Sequence, residues 1–293
     1  MTASLLTLGE AAQSGEILEG RAVVCDAGHN LIVEMPSGLR GIIPRNEGAL
    51  GIEEGQTRDI AIISRVNKAV CFVVTDFAIN AGQVTPVLSR RAAQLRCMRD
   101  YIAGLLRGQI IPARVTHLES FGCFVDIGCG IPSMIPIDAI SISRISHPRD
   151  RFRVGQSIRA IVRSLEDGRV FLSHKELLGT WKENAALFTP GETVAGIVRS
   201  VEHYGVFIEL TPNLAGLAEP REGVAVSQHA SVYIKSLIPQ KMKVKLVIID
   251  AFDADYTPPT FSYFITEGQL THWRYSPENA DRTIETDFSP SSA

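Results

Sequence analysis

Residues 108–128 read G-Q-I-I-P-A-R-V-T-H-L-E-S-F-G-C-F-V-D-I-G. Two short stretches, Ile110–Val115 and Cys123–Ile127, are rich in β-branched and apolar residues in partial alternation. That pattern predicts strands with one buried face. Between them a glycine separates two aromatic residues, Phe121 and Phe124, where the chain must reverse tightly. The stretch therefore predicts an antiparallel hairpin with aromatic rings at its turn. Residues 191–210, G-E-T-V-A-G-I-V-R-S-V-E-H-Y-G-V-F-I-E-L, repeat the design with Tyr204, Gly205 and Phe207.

Working outward, the same order of anchors appears three times. GEILEG (15–20), GQIIPA (108–113) and GETVAG (191–196) begin the copies. RGIIPR (40–45), PSMIPI (132–137) and AGLAEP (215–220) follow at a matched distance. GQTRDIAII (55–63), GQSIRAIV (155–162) and SQHASVYIKSLI (227–238) come next, and VLSRRAAQ (87–94) and FLSHKELL (171–178) close two of the copies. Self-similarity at a fixed spacing is the signature of tandem modules. Further short strands are expected at Arg21–Cys25, Leu31–Met35, Ser157–Val162, Val194–Val198 and Val206–Leu210. Four or five strands in about 70 residues predict a small barrel, which removes exposed sheet edges by closure.

The reading is an all-β chain of three tandem five-stranded barrels joined by short α-helical linkers. Residues 1–14 form an N-terminal tail, 15–95 a first and degenerate copy, and 96–107 a helical linker. Residues 108–178 form the second copy, 179–190 a linker, 191–265 the third copy and 266–293 a C-terminal tail. Helices are expected over 89–106, with Leu95, Met98, Ile102 and Leu105 at helical spacing, and over 175–188. The third copy has no closing Leu-Ser strand, and TFSYFI (260–265) is expected to supply one. Trp273 and Tyr275 are expected in a packed flap.

The net charge of −3 conceals a polar distribution. Residues 1–88 hold 6 basic and 10 acidic residues, residues 89–175 hold 14 and 7, and residues 176–293 hold 9 and 15. Thirteen of the fourteen central cations are arginine. Phosphate attraction depends on nearby charge more than on the whole-chain total, so the central segment suits a polyanion. An Arg-rich solvated surface would give the same count.

The second copy strongly, the third well and the first weakly resemble the OB-fold RNA-binding repeat of the bacterial ribosomal protein S-one family. The carrying features are the aromatic-Gly-x-Phe turns at 121–124 and 204–207, the strand at 132–137 and the closing LSHKELLGTW (172–181). The resemblance spans roughly residues 15–253 and is to a short Gram-positive, Firmicutes-like member. It implies a non-catalytic protein that holds single-stranded RNA, with messenger RNA at the small ribosomal subunit as the expected setting. It also implies that Arg169, in the E-D-G-R turn, touches RNA.

An exposed ring in such a turn stacks on any base, a sequence-tolerant contact worth ~1–3 kcal/mol. Phe121, Phe124, Tyr204 and Phe207 are the candidate rings, although one of each pair can equally be core. Arg149, Arg151 and Arg153 alternate in HPRDRFRVG, so an extended chain would put all three on one side. Arg114, Arg163 and Arg169 belong to the same copy, and His117 and Arg199, near the aromatic turns, complete the candidate set. Guanidinium both pairs with phosphate and stacks on bases. Departures from the family pattern are Pro136 and Glu219 in place of its third-strand histidine, and Ala27 and Asn30 in place of the first copy's aromatics. The first copy is thus expected to contact protein rather than RNA. In its strongest form this gives the alternative of a protein-interaction adaptor.

No phosphate-binding glycine loop, H-E-x-x-H or G-x-S-x-G is present. No catalytic residue, metal site or cofactor is expected; Cys25 and His29, four apart, supply only two ligands. Five scattered cysteines without C-x-x-C favour reduced thiols in a cytoplasmic setting. No apolar run approaches the ~18 residues that span a bilayer, and the first twenty residues show no secretory pattern.

Overall fold

In the computed structural model, residues 5–80, 82–166, 168–255 and 261–289 are described. The chain divides into two compact units, Met1–Leu105 with Gly128–Ile131, and Leu106–Ile127 with Pro132–Ala293.

The first unit holds helix α1 (Leu5–Ser14), strands β1 (Leu18–Cys25), β2 (Leu31–Glu34) and β3 (Arg40–Ile43), and a single helical turn α2 (Ile60–Ile63). Strands β4 (Ala69–Asn80) and β5 (Gln83–Ser89) and helix α3 (Arg90–Asp100) follow. The strands close in the order β1-β2-β3-β5-β4, with one parallel pairing where Ile42 meets Val87. Alternation sends Ala22, Leu31, Val33, Ile43, Phe72 and Leu88 inward as a packed core. The N-terminal residues expected as a tail instead include α1, whose Leu8 and Ala11 are buried. Helix α3 starts at the Ser89 cap, whose hydroxyl accepts from the Ala92 amide, and a 3-10 turn over Ile102–Gly104 succeeds it. Its buried residues are Arg90, Ala93, Gln94 and Cys97. Leu95, read as part of the apolar stripe, is 46% exposed, because it lies off the face that the helix buries.

The second unit contains two barrels. Strands β6 (Ile110–Glu119), β7 (Gly122–Asp126), β8 (Pro132–Pro136), β9 (Ser157–Glu166) and β10 (Arg169–Ser173) close in the order β10-β8-β7-β6-β9. Lys175–Leu178 forms a 3-10 turn, and α4 (Trp181–Ala185) follows. The continuous helix expected over 175–188 is therefore interrupted. Gly179 adopts φ 84°, and Thr180 and Glu183 form a capping box that restarts the chain as a new helix. Strands β11 (Thr193–Glu202), β12 (Gly205–Thr211), β13 (Leu214–Ala218), β14 (His229–Ile238) and β15 (Lys243–Phe252) close as β11-β12-β13-β15-β14. A short hairpin of β16 (His272–Arg274) and β17 (Glu285–Asp287) ends the unit.

The closing strand of the third barrel is β15, not the expected 260–265. In KVKLVIID the residues Val244, Leu246 and Ile248 point inward while lysines alternate outward, so the strand forms without a Leu-Ser signature. Thr260 lies outside the described residues. Phe261–Ile265 forms no strand; the Phe264 amide bonds the Leu177 carbonyl, and Tyr263 packs on His174. Further on, Trp273, Tyr275 and Phe288 are buried with Leu177, Trp181 and the third barrel's inward residues in one core.

The two barrels of this unit meet through the β12–β13 turn. Asn213, fully buried, accepts from the Ile142 amide at 2.9 Å and donates to the carbonyls of Lys175 and Gly179 at 2.8 Å. Ser143 donates its amide to the Pro212 carbonyl. The buried Asn213 side chain thus has partners for both its oxygen and its nitrogen, the condition for burying it without penalty.

Candidate nucleic-acid interface

Phe121 stands at the β6–β7 turn, 55% exposed, and Phe124 is half-buried on β7. Their ring centroids lie 6.0 Å apart at 89°, an edge-to-face pair. Tyr204 and Phe207 reproduce this at the β11–β12 turn, 6.1 Å apart at 87°, with Tyr204 also 55% exposed. In both pairs the outer ring is the exposed one and the inner, half-buried ring packs against it. The glycine between them answers to packing as well as to the turn. A Cβ on Gly122 would lie 2.7 Å from the Ile135 carbonyl oxygen, and one on Gly205 2.6 Å from that of Ala218.

Strand register extends each pair into a row. In the second barrel His117 pairs with Phe124, Phe124 with Met134, Met134 with Phe171, and Phe171 with Ser164. Register partners share a face, and Phe124, Met134 and Phe171 are all half-buried on the outside of the barrel. Met134 and Phe171 escaped the sequence reading, because the row crosses five strands and no local motif connects them. Their signal was present in the alternation of PSMIP and RVFLS, where both occupy outward positions. In the third barrel the row reads Ser200, Phe207, Leu217, Lys245. In the first barrel it reads Val24, Ile32, Ile42, Val87, aliphatic throughout.

The candidate cations separate into two groups. Arg114, Arg149, Arg153, Arg163 and Arg169 are exposed. Arg114 pairs by register with Asp126 and donates Nε to the Gly155 carbonyl at 3.3 Å, while Arg169 opens β10 beside the row. His117 is exposed, and its Nε2 lies 2.6 Å from Glu119 Oε1.

Arg151 and Arg199 belong elsewhere. Arg151 is 0% exposed and donates Nη2 to Glu209 Oε2 at 2.5 Å and Nε to Ser141 at 3.3 Å. The Arg199 side chain, nearly buried, donates Nε to the same Glu209 oxygen at 2.7 Å and Nη2 to Oε1 at 3.2 Å. Its Nη1 is 3.8 Å from Asp150. Neither guanidinium is available to a ligand. The alternation of Arg149, Arg151 and Arg153 fails because the segment is not extended. Pro148–Asp150 is a 3-10 turn capped by His147, which sends Arg151 inward and leaves its neighbours outside.

Cys123, between the two rings in sequence, points into the barrel, and burial pushes its thiol up to about 12. Such a thiol is no nucleophile near neutral pH. Among the described residues no group of three or more His, Cys, Asp or Glu could hold a metal ion. Among them, too, no helix is long and apolar enough to cross a membrane.

Three closed barrels, two of them carrying a paired-ring turn, define a tandem OB-type architecture. Residues 107–175 match the S1 RNA binding domain. Over most of its length the chain is similar to the bacterial ribosomal protein bS1. It is 28% identical over 230 residues to the small ribosomal subunit protein bS1 homolog of Bacillus subtilis (strain 168), covering 75% of this chain and 56% of the relative. It is 27% identical over 251 residues to bS1 of Leuconostoc lactis, covering 82% and 54%. With bS1 of Staphylococcus aureus (strain COL) it is 26% identical over 251 residues, covering 83% and 61%. The chain spans a little over half the length of these curated relatives.

Proposed function

We propose that this protein holds single-stranded RNA without catalysis, messenger RNA at the small ribosomal subunit being its setting. The observation that carries the reading is the repeated ring pair, Phe121 on Phe124 and Tyr204 on Phe207, at equivalent turns of two barrels. Bases stack on the exposed outer ring, and the exposed arginines of the second barrel neutralise the backbone. Duplex RNA is a poorer ligand, since its bases are already stacked and its deep groove hides their edges. The kinship with bS1 over most of the chain supports the ribosomal setting, and the match of residues 107–175 supports the second barrel as the principal RNA-binding module.

The test is a fluorescence titration of the full chain with labelled oligouridylate and with duplex RNA. The single strand should bind more tightly, and Phe121→Ala should weaken it by ~1–3 kcal/mol. Unchanged affinity in a folded Phe121→Ala protein would remove the stacking surface from the account.

The first barrel supports a different role. Its outward row has no ring to stack on a base, and Val24, at one end of it, is exposed. An exposed aliphatic face suits a protein contact better than an RNA contact. Ile32→Glu should therefore leave oligouridylate binding intact and reduce retention on isolated small ribosomal subunits; the opposite pattern would assign this barrel to RNA.

A further inference from the structure

The third barrel lies in an acidic part of the chain, yet four of the seven lysines, Lys235, Lys241, Lys243 and Lys245, fall within eleven residues of it. They occupy the ends of β14 and β15 and the turn between them, and all four are exposed. Among the described residues, none of the four has a carboxylate within ion-pair distance. By contrast the barrel's Arg199 is consumed by Glu209. Four of the barrel's five exposed Lys and Arg side chains thus lie in one ribbon, the fifth, Arg221, donating to the carbonyls of Ile248 and Ile249.

The fold gives the ribbon a direction. Lys245 pairs in register with Leu217, and Leu217 with Phe207, so Lys245 ends the row that begins at the Tyr204 and Phe207 rings. It takes the place that Phe171 holds in the second barrel, where Phe171 pairs with Met134. Across the ribbon a register shift between Ile234 and Ser236 sets Lys235 and Ser236 against the single residue Lys245. The bulge keeps both lysines on the outer face, since Ile234 and Leu246 between them point inward. One step further along that face, Tyr233 pairs with Val247, and its ring is exposed. Rings, then cations, then a ring lie along one continuous outer surface.

We propose that the outer face of the β14–β15 ribbon, through Lys235, Lys245 and Tyr233, is a second single-strand binding segment. It carries RNA onward from the Tyr204–Phe207 pair. The inference rests on the RNA-binding reading above. Its chemistry is that of a single-strand groove, in which lysines neutralise successive phosphates and an exposed ring stacks a base. A duplex would present phosphates to the lysines but no free base to Tyr233. The ribbon thus converts the exchange of Phe171 for Lys245 into a division of labour, the second barrel's row favouring stacking and the third barrel's favouring charge.

The test uses the full chain and fluorescein-labelled oligouridylate over a series of salt concentrations. The double variant Lys235→Ala, Lys245→Ala should flatten the dependence of log affinity on log salt by about 1.4, that is, ~0.7 for each phosphate released. Lys235→Arg, Lys245→Arg should restore the slope. Tyr233→Ala should weaken binding by roughly 5- to 100-fold with the slope kept. All these residues are exposed, so folding should survive, and circular dichroism checks it. If Phe121→Ala weakens binding but the lysine variant leaves both affinity and slope unchanged, the ribbon is outside the interface and this proposal fails while the RNA reading stands. If the unmodified chain ignores oligouridylate at every salt concentration, both fail together. Lysine-dependent binding of polyglutamate with oligouridylate binding unaltered would also overturn the proposal and give the ribbon to an acidic protein.

Discussion

Arg151 of the second barrel donates to Glu209 of the third at 2.5 Å, and both side chains are buried. Arg199 reaches the same carboxylate, so one acid on β12 answers two guanidinium groups from different barrels. Two residues that resemble ligand contacts in the sequence are thereby a lock between barrels. A buried charge with its partner removed is costly, whereas the pair itself need not add stability.

Glu209→Ala should accordingly destabilise the second unit by ~3–5 kcal/mol, because both buried guanidinium groups would lose the carboxylate they share. Urea denaturation followed by the fluorescence of Trp181 and Trp273, both in that unit's core, measures it. A loss below about 1 kcal/mol would show that water or Asp150 satisfies the two arginines unaided. Arg169→Ala, on the exposed surface, should leave the urea midpoint unchanged within experimental error.

The outward row makes a second prediction. Phe171→Ala should reduce oligouridylate affinity while leaving the salt dependence intact, since it removes a ring and no charge. Arg169→Ala should do the reverse, flattening the slope by ~0.7 and weakening all sequences alike. The two substitutions are two residues apart on β10, so their opposite signatures would locate both functions on one strand. Equal effects on slope would mean that Phe171 only supports the fold.

The barrels were legible in the sequence because closure, alternation and glycine punctuation are local properties repeated three times. Phe121 and Tyr204 were legible for the same reason, each lying beside the glycine that its turn requires. Phe171, Met134 and Lys245 were not, since their association depends on the register of strands distant in the chain. The burial of Arg151 was hidden by its exposed neighbours. A short 3-10 turn reverses the face that an extended chain would present, and its partner Glu209 lies 58 residues away. The closing strand of the third barrel was missed because its outward lysines mask the inward Val244, Leu246 and Ile248 in a motif search.

His174 yields a prediction in pH. It is fully buried against Phe152 and Phe261, with ring centroids at 5.0 and 4.7 Å. Both nitrogens have partners: Nδ1 donates to the Ile140 carbonyl at 3.0 Å, and Nε2 accepts from the Tyr263 hydroxyl at 3.1 Å. That hydroxyl also accepts from the Arg159 amide, so the arrangement suits a neutral ring. Burial, opposed in part by the Ile140 carbonyl and aided by the nearby Arg151 charge, lowers its pKa to about 4. Below the ordinary value of about 6.5 the unfolded chain takes up a proton that the folded chain refuses, so folding loses stability as the pH falls from about 6.5 toward 4. The full loss is on the order of 3 kcal/mol, at 1.36 kcal/mol per unit of displacement. Urea midpoints at pH 7, 5.5 and about 4 measure it, and His174→Gln, which does not titrate, should remove this part of the slope. Its remaining pH dependence reports the carboxylates, whose contribution begins lower, as Asp26, Asp59 and Asp100 are held below their usual range by hydrogen bonds from Asn30, Arg45 and Arg99 respectively. If the His174→Gln protein shows the same slope between pH 6.5 and 5 as the unmodified one, His174 is protonated in the folded state and the assigned hydrogen bonds are reversed.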